Sequence, residues 1–164
     1  EDVYFEVIKK KTAALFATAA EAGAISVKST DEMAEISRQF GELIGISFQI
    51  KDDIFDYYSS DVLGKPTGND MREGKLTLPV LYVLNTLRNP SMIELALKIR
   101  ALDASDEEIA YFIDYVKQNG GIEYATQVMI EYRNKALAIL PDDISDELKT
   151  ALTSYIDYVI ERNK

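Results

Sequence analysis

Between Gly45 and Tyr58 the sequence reads Gly-Ile-Ser-Phe-Gln-Ile-Lys-Asp-Asp-Ile-Phe-Asp-Tyr-Tyr. If this stretch is helical, at about 100° per residue, Gly45, Gln49, Asp52 and Asp56 fall in one narrow line along it. Asp53 lies beside that line, with Phe48, Ile54 and Phe55 on neighbouring faces. Carboxylates one turn apart, at ~6 Å, repel by about 0.7 kcal/mol in water and about 3 kcal/mol at an effective dielectric of about 20. A partly buried cluster of this kind wants a cation. Mg²⁺ suits it, because that ion takes one or two carboxylates, keeps several waters and bridges to phosphate oxygens. By itself, a D-D-x-x-D in so acidic a chain is more often a solvated helix end.

The same chain carries a control. Asp142-Asp143-Ile144-Ser145-Asp146 repeats the D-D-x-x-D pattern, but it follows Pro141 and opens the last expected helix. There Asp residues meet free N–H groups and the positive end of the helix dipole. Capping accounts for this second cluster, and no lysine-bearing loop or polar stripe accompanies it. Asp103 and Asp106, next to a cap at Ser105, read the same way.

The first cluster differs in the loop on its C-terminal side. From Leu63 to Pro79 the chain places Lys65, Arg72 and Lys75 among Gly64, Gly68 and Gly74. Cations on a backbone that can approach closely, directly after an acidic metal-type site, suit a diphosphate: a metal neutralises one side of the anion while Lys65 and Lys75 reach the other. Gly68 to Lys75 has the flavour of a nucleotide P-loop. The spacing is one residue too long, however, Leu76 stands where Ser or Thr should hold magnesium, and no strand precedes it.

Composition narrows the remaining chemistry. The 164 residues include no Cys and no His, which excludes disulfides, thiol nucleophiles, zinc sites built on those ligands and His-based acid–base catalysis. A formal charge of −10 argues against binding a nucleic-acid backbone, which needs concentrated Lys and Arg. No apolar stretch approaches membrane-spanning length and the first residues lack the shape of a signal peptide, so a cytoplasmic protein without a transmembrane segment is expected. The sequence opens without Met, in what already reads as helix, and a longer parent polypeptide is expected.

The elements that must position these residues are helical throughout. With 47% hydrophobic residues recurring at three- and four-residue steps, and no alternating strand pattern, the fold class is all-α, a helical bundle with one core. One helix is expected from about Val3 to Ala22, ended by Gly23, and a long one from Thr30 to about Tyr58. Residues 59–75 form the only long loop. Helices are then expected over Leu78–Leu87 and Ser91–Leu102, and from Ser105 with Glu108 completing a capping box. Another follows Asn119-Gly120-Gly121, with Ile122, Ala125, Met129, Tyr132, Ala136 and Ile139 on one face. The last carries Leu148, Leu152, Tyr155 and Val159. These two read as core-packing elements.

Taken in order, Phe48-Gln49-x-x-Asp52-Asp53-x-x-Asp56, Gly64-Lys65-Pro66-x-Gly68-x-Asp70 and Lys75-x-Thr77-x-Pro79 resemble the second aspartate-rich motif and following loop of the trans-isoprenyl diphosphate synthases, the polyprenyl synthetase family. Upstream, Lys11-Thr12-Ala13 is similar to the family's Lys-Thr pair, and the last helix, ending in Arg162, to its final helix. The resemblance implies that Asp52 and Asp56, assisted by Asp53, hold Mg²⁺ on an allylic diphosphate. It implies that Lys65 and Lys75 contact substrate diphosphate, that Lys11 and Thr12 hold the reacting end, and that Phe48 and Gln49 line the cavity. The implied reaction condenses an allylic diphosphate with isopentenyl diphosphate, in a homodimer. The family's first aspartate-rich motif is not in this sequence, so residues 1–164 are expected to be the C-terminal half of an isoprenoid synthase domain, inactive alone.

Two other readings share the same residues. A class I terpene cyclase would carry a second metal motif richer in Asn, Ser and Glu. A non-catalytic partner subunit of a polyprenyl synthase would show degraded motifs, whereas these are intact.

Overall fold

A computed structural model describes residues 1–58 and 67–161, and among them every regular element is a helix. The elements are α1 (Asp2–Ile8), a π-helical turn (Lys9–Ala13), α2 (Ala14–Ser26), α3 (Asp31–Phe55), α4 (Asn69–Arg72), α5 (Leu78–Leu87), α6 (Pro90–Arg100), α7 (Asp106–Gln118), α8 (Gly121–Ala138) and α9 (Asp146–Glu161). No helix among the described residues is long and apolar enough to cross a membrane. The chain divides into two compact units. One comprises Asp2–Lys51 with the described residues from Val128 onward, the other Asp52–Gln127 with Glu1.

In the first unit the core joins Phe40 and Ile44 of α3 to Ala136 of α8 and Ile156 of α9, flanked by Phe16, Leu43, Leu137, Ile139, Leu140 and Leu152. The apolar steps in the sequence produce this directly, since each helix turns one stripe inward. Closeness comes from glycine. A Cβ on Gly41 would lie 2.4 Å from the Phe16 carbonyl oxygen, and one on Gly45 would lie 2.6 Å from the Ala13 Cα. The backbone of the π-helical turn and α2 therefore rests directly on α3. The buried Ser47 hydroxyl donates to the Met129 carbonyl at 3.1 Å, satisfying a polar group inside this core.

The second unit is built from the last turn of α3, α4 to α7 and the start of α8. Helix α6 touches α4 and α7, and α7 also touches α5. Leu78, Val80, Val83, Ile99, Phe112 and Val116 are its largest wholly buried aliphatic and Phe side chains, each adding roughly 1.5–3 kcal/mol by leaving water. The Ser105 hydroxyl accepts the Glu108 N–H while the Glu108 carboxylate accepts the Ser105 N–H at 2.8 Å, the capping box that the sequence predicts. Lys98 donates to the same carboxylate at 2.7 Å, tying α6 to the start of α7 and holding the Glu108 carboxyl below its usual range.

Four expectations need correction. The first helix does not stop at Gly23: a Cβ there would meet nothing within 4 Å, so the glycine sits exposed in an intact helix at a cost of about 1 kcal/mol relative to Ala. The chain turns instead at Lys28, whose φ is 57°. That same helix is interrupted by the π-helical turn, an extra backbone residue that leaves no mark in a three-and-four pattern. Helix α4 interrupts the expected loop.

The last correction concerns the second acidic cluster. Asp142 and Asp143 lie in a turn before α9, and the Leu148 N–H donates to the Ser145 hydroxyl at 3.2 Å. Ser145 is thus the cap. Ser145→Ala is expected to cost about 1 kcal/mol in a denaturant melt, whereas Asp143→Ala should be nearly neutral. The opposite ranking would return the capping role to the aspartates.

Candidate active site

The candidate residues fall into two groups, one in each unit. In the first unit the π-helical turn carries Lys11 and Thr12. Such turns alter the helical register locally and recur at functional sites. Thr12 Oγ1 donates to Gln49 Oε1 at 2.7 Å, a bond made possible by the contact at Gly45 one turn earlier on α3. Phe48 stands against Phe16, ring centroids 5.2 Å apart and planes inclined by 45°. Lys11 is exposed. The family resemblance named Lys11, Thr12, Phe48 and Gln49 separately, and the structure pairs Thr12 with Gln49.

In the second unit the acidic residues are placed very differently from one another. Asp52 is partly buried near the end of α3, and Asp53 is buried at 4% exposure. Asp56 lies just past the helix, in a turn closed by Tyr57 N–H to Ile54 O at 3.1 Å and Tyr58 N–H to Phe55 O at 3.0 Å. Its carboxylate is engaged: Oδ1 accepts the Asn69 N–H at 2.9 Å and Oδ2 the Asp70 N–H at 3.0 Å. Its carbonyl accepts the Gly68 N–H at 2.8 Å. Gly68 has φ 80°, a left-handed conformation that glycine adopts without strain, and a Cβ there would sit 2.7 Å from Ile113 Cδ1.

Lys75 comes one turn of chain later. Its N–H donates to the Asp70 carbonyl at 2.8 Å, and Gly74, with φ 73°, makes the turn between them. The Lys75 ammonium bonds the Glu73 carboxylate and lies 3.7 Å from Asp70 Oδ1. The Glu73 bond, reinforced by the Asp70 charge, raises its pKa, so it is a cation throughout the ordinary pH range. Half of its side chain remains exposed, which lets it exchange these partners for an anion. Gly64, Lys65, Pro66 and Arg162 lie outside the described residues.

Two residues here escaped the sequence reading as site members. Asp70 received no role, although it stands in the Gly68-x-Asp70 pattern. It contributes its amide to Asp56, its carbonyl to the Lys75 N–H and its carboxylate to the neighbourhood of the Lys75 ammonium. Tyr57 is 2% exposed, and its hydroxyl makes no hydrogen bond of ordinary geometry among the described residues. Burial pushes the phenol well above its usual range. The Thr77 side chain opposes that shift, and the charges of Asp53, Asp56 and Asp70 add to it. A tyrosine following an acidic motif gives no signal of this by itself.

A divalent cation fits this donor set. Asp52 and Asp56 are hard oxygen donors, and each Asp56 oxygen has a second lone pair beyond the one that accepts an amide. Among the described residues no three acidic side chains close into a protein-only cage.

Comparison with known proteins agrees in sequence and in fold. The pattern of the polyprenyl synthetase family matches residues 1–116. The chain is 36% identical over 164 residues to the short chain isoprenyl diphosphate synthase of Methanothermobacter thermautotrophicus, covering 99% of this chain and 50% of that protein. Among solved structures, geranylgeranyl pyrophosphate synthase from Bacteroides thetaiotaomicron matches with a TM-score of 0.93 at 51% identity, over 99% of this chain and 54% of that one. Polyprenyl synthase from Caulobacter crescentus CB15, complexed with calcium and isoprenyl diphosphate, matches with a TM-score of 0.90 at 31% identity, over 100% of this chain and 50% of that one. The chain spans about half the length of the relatives it matches.

Proposed function

The chain belongs to the polyprenyl synthetase family, and from that premise we propose that, within a polypeptide of its relatives' length, it is a prenyltransferase. It condenses an allylic diphosphate with isopentenyl diphosphate to give a longer trans-polyprenyl diphosphate. The observation that carries this reading is that the family match spans residues 1–116, the range within which every candidate position lies. The calcium and isoprenyl diphosphate bound to the Caulobacter neighbour support pairing a divalent cation with a prenyl diphosphate ligand.

Asp52 and Asp56 would hold Mg²⁺, with the charge of Asp53 behind them. When bound, such an ion neutralises diphosphate oxygens and makes diphosphate a better leaving group. The remaining steps belong to the chain's own side chains. As the allylic C–O bond lengthens, negative charge grows on the departing oxygens, and Lys75 and Lys65 stabilise that state more than the bound substrate. Thr12, held by Gln49, and Lys11 would fix the reacting end, while Phe48, backed by Phe16, shields the cationic carbon chain from water. The isopentenyl double bond then attacks the allylic carbocation, and the new cation loses its proton to an oxygen of the departed diphosphate. No side-chain nucleophile takes part, in keeping with a chain devoid of Cys and His. A homodimer in the cytoplasm completes the proposal.

Incorporation of labelled isopentenyl diphosphate tests it. A polypeptide of the relatives' length that contains this chain is expected to elongate an allylic diphosphate only when Mg²⁺ is supplied. These 164 residues alone are expected to give no product. Appreciable elongation by the chain alone would show that the other half is dispensable, and none by the longer polypeptide would refute the activity.

A further inference from the structure

Asp56 collects three consecutive amides, those of Gly68 on its carbonyl and of Asn69 and Asp70 on its carboxylate, at 2.8, 2.9 and 3.0 Å. Asn69 and Asp70 open α4, where the first N–H groups have no partner within the helix. The residue before them is Gly68, which has no side chain to cap with, and no side-chain cap is made from that position. Asp56 therefore supplies the missing cap from thirteen residues away. What it fastens is functional in kind. The carbonyl of Asp70 receives the Lys75 N–H at 2.8 Å, and its carboxylate stands 3.7 Å from the Lys75 ammonium. Holding the Asp70 backbone thus fixes the point from which Lys75 is presented.

Neutral and charged acceptors differ at this spot. A carboxylate offers an oxygen to each N–H, whereas an amide side chain offers one oxygen and sets an NH₂ group against the second donor. Two backbone donors, one to each oxygen, are what the two-oxygen side chain of Asp56 complements, and a residue serving the ion alone would not require them.

We propose that Asp56 is a positioning residue: its carboxylate clamps the segment from Gly68 to Lys75 and so sets Lys75 for an incoming diphosphate. The second clause rests on the diphosphate reading above, while the clamp itself does not. Amide hydrogen exchange on a polypeptide of the relatives' length, without added metal, decides it. Asp56→Ala is expected to speed exchange at Asn69 and Asp70 by about 10- to 100-fold, the loss of charge-assisted hydrogen bonds. Asp56→Asn should fall between this variant and the wild type, since one acceptor is kept. Asp52→Ala should leave both amides within about twofold, and amides inside α7 report whether each variant is folded.

Calorimetric binding of inorganic pyrophosphate separates clamp from ligand. A defect in Asp52→Ala should be recovered by raising Mg²⁺, and that in Asp56→Ala should persist at saturating Mg²⁺. Unchanged exchange at Asn69 and Asp70 in Asp56→Ala, with a binding defect that extra Mg²⁺ removes, would overturn the proposal and leave Asp56 a plain ligand. If the exchange pattern holds and no form binds pyrophosphate, the clamp stands and the diphosphate reading falls.

Discussion

Asp52→Ala, placed in a polypeptide of the relatives' length, is expected to lower kcat by about 10²-fold or more while leaving thermal stability in the absence of Mg²⁺ unchanged or slightly raised. The two halves of this expectation have separate causes. Charge builds on the departing diphosphate only as the C–O bond breaks, so a carboxylate that holds the neutralising ion contributes most in the transition state. In the metal-free protein the same carboxylate neighbours Asp53 along the chain, and like charges about 6 Å apart repel by about 0.7–3 kcal/mol depending on their exposure. Removing one relieves that repulsion. Asp143→Ala is the internal comparison, because it alters an identical local pattern that the structure places in a turn before α9. It should leave both kcat and melting unchanged. Steady-state kinetics with melts in the presence and absence of Mg²⁺ make the measurement. Equal activity losses for Asp52→Ala and Asp143→Ala would remove the metal site from the first cluster.

Gly45→Ala is expected to destabilise the protein by about 1–3 kcal/mol, the usual cost of forcing a methyl group into a filled core. Its new carbon would stand 2.6 Å from the Ala13 Cα and 3.0 Å from the Ala13 Cβ, and backbone cannot move aside as the tip of a long side chain can. For a chain of this size the melting point should fall by about 2–4 °C per kcal/mol. Gly41→Ala, with its methyl 2.4 Å from the Phe16 carbonyl oxygen, should behave alike. Gly23→Ala should do the reverse and add up to about 1 kcal/mol, since nothing stands within 4 Å and Ala is the better helix former. Gly45→Ala should also part Thr12 from Gln49, because their 2.7 Å bond depends on the π-helical turn lying against α3. If Gly45→Ala and Gly23→Ala shift the melt alike, the close approach at Gly45 is refuted.

These two expectations mark how far the sequence reaches. Helix α5 lies where periodicity puts it, from Leu78 to Leu87, and the Ser105–Glu108 capping box forms as its four residues predict. Both depend on contacts a few residues apart, which a linear pattern records. Family membership was equally legible, because the order of Lys11-Thr12, Phe48-Gln49, the first acidic cluster and the Gly68-x-Asp70 segment is itself linear information.

Tertiary structure decided the rest, and in each instance the partner is far away in sequence. Gly45 stands in the polar line with Gln49 and Asp52, yet its reason is a backbone contact with Ala13. Asp56 reads as one carboxylate among three, yet its oxygens are turned to amides thirteen and fourteen residues on. Asp53 differs from Asp52 by one position and about 100° of rotation, which buries it while Asp52 stays partly open. Residue type and spacing by themselves determined the candidate residues and the chemistry proposed for them, because charge and helical period are local properties. Which carboxylate carries which task depended on where N–H donors and close backbones arrive, and those come from folding distant segments together.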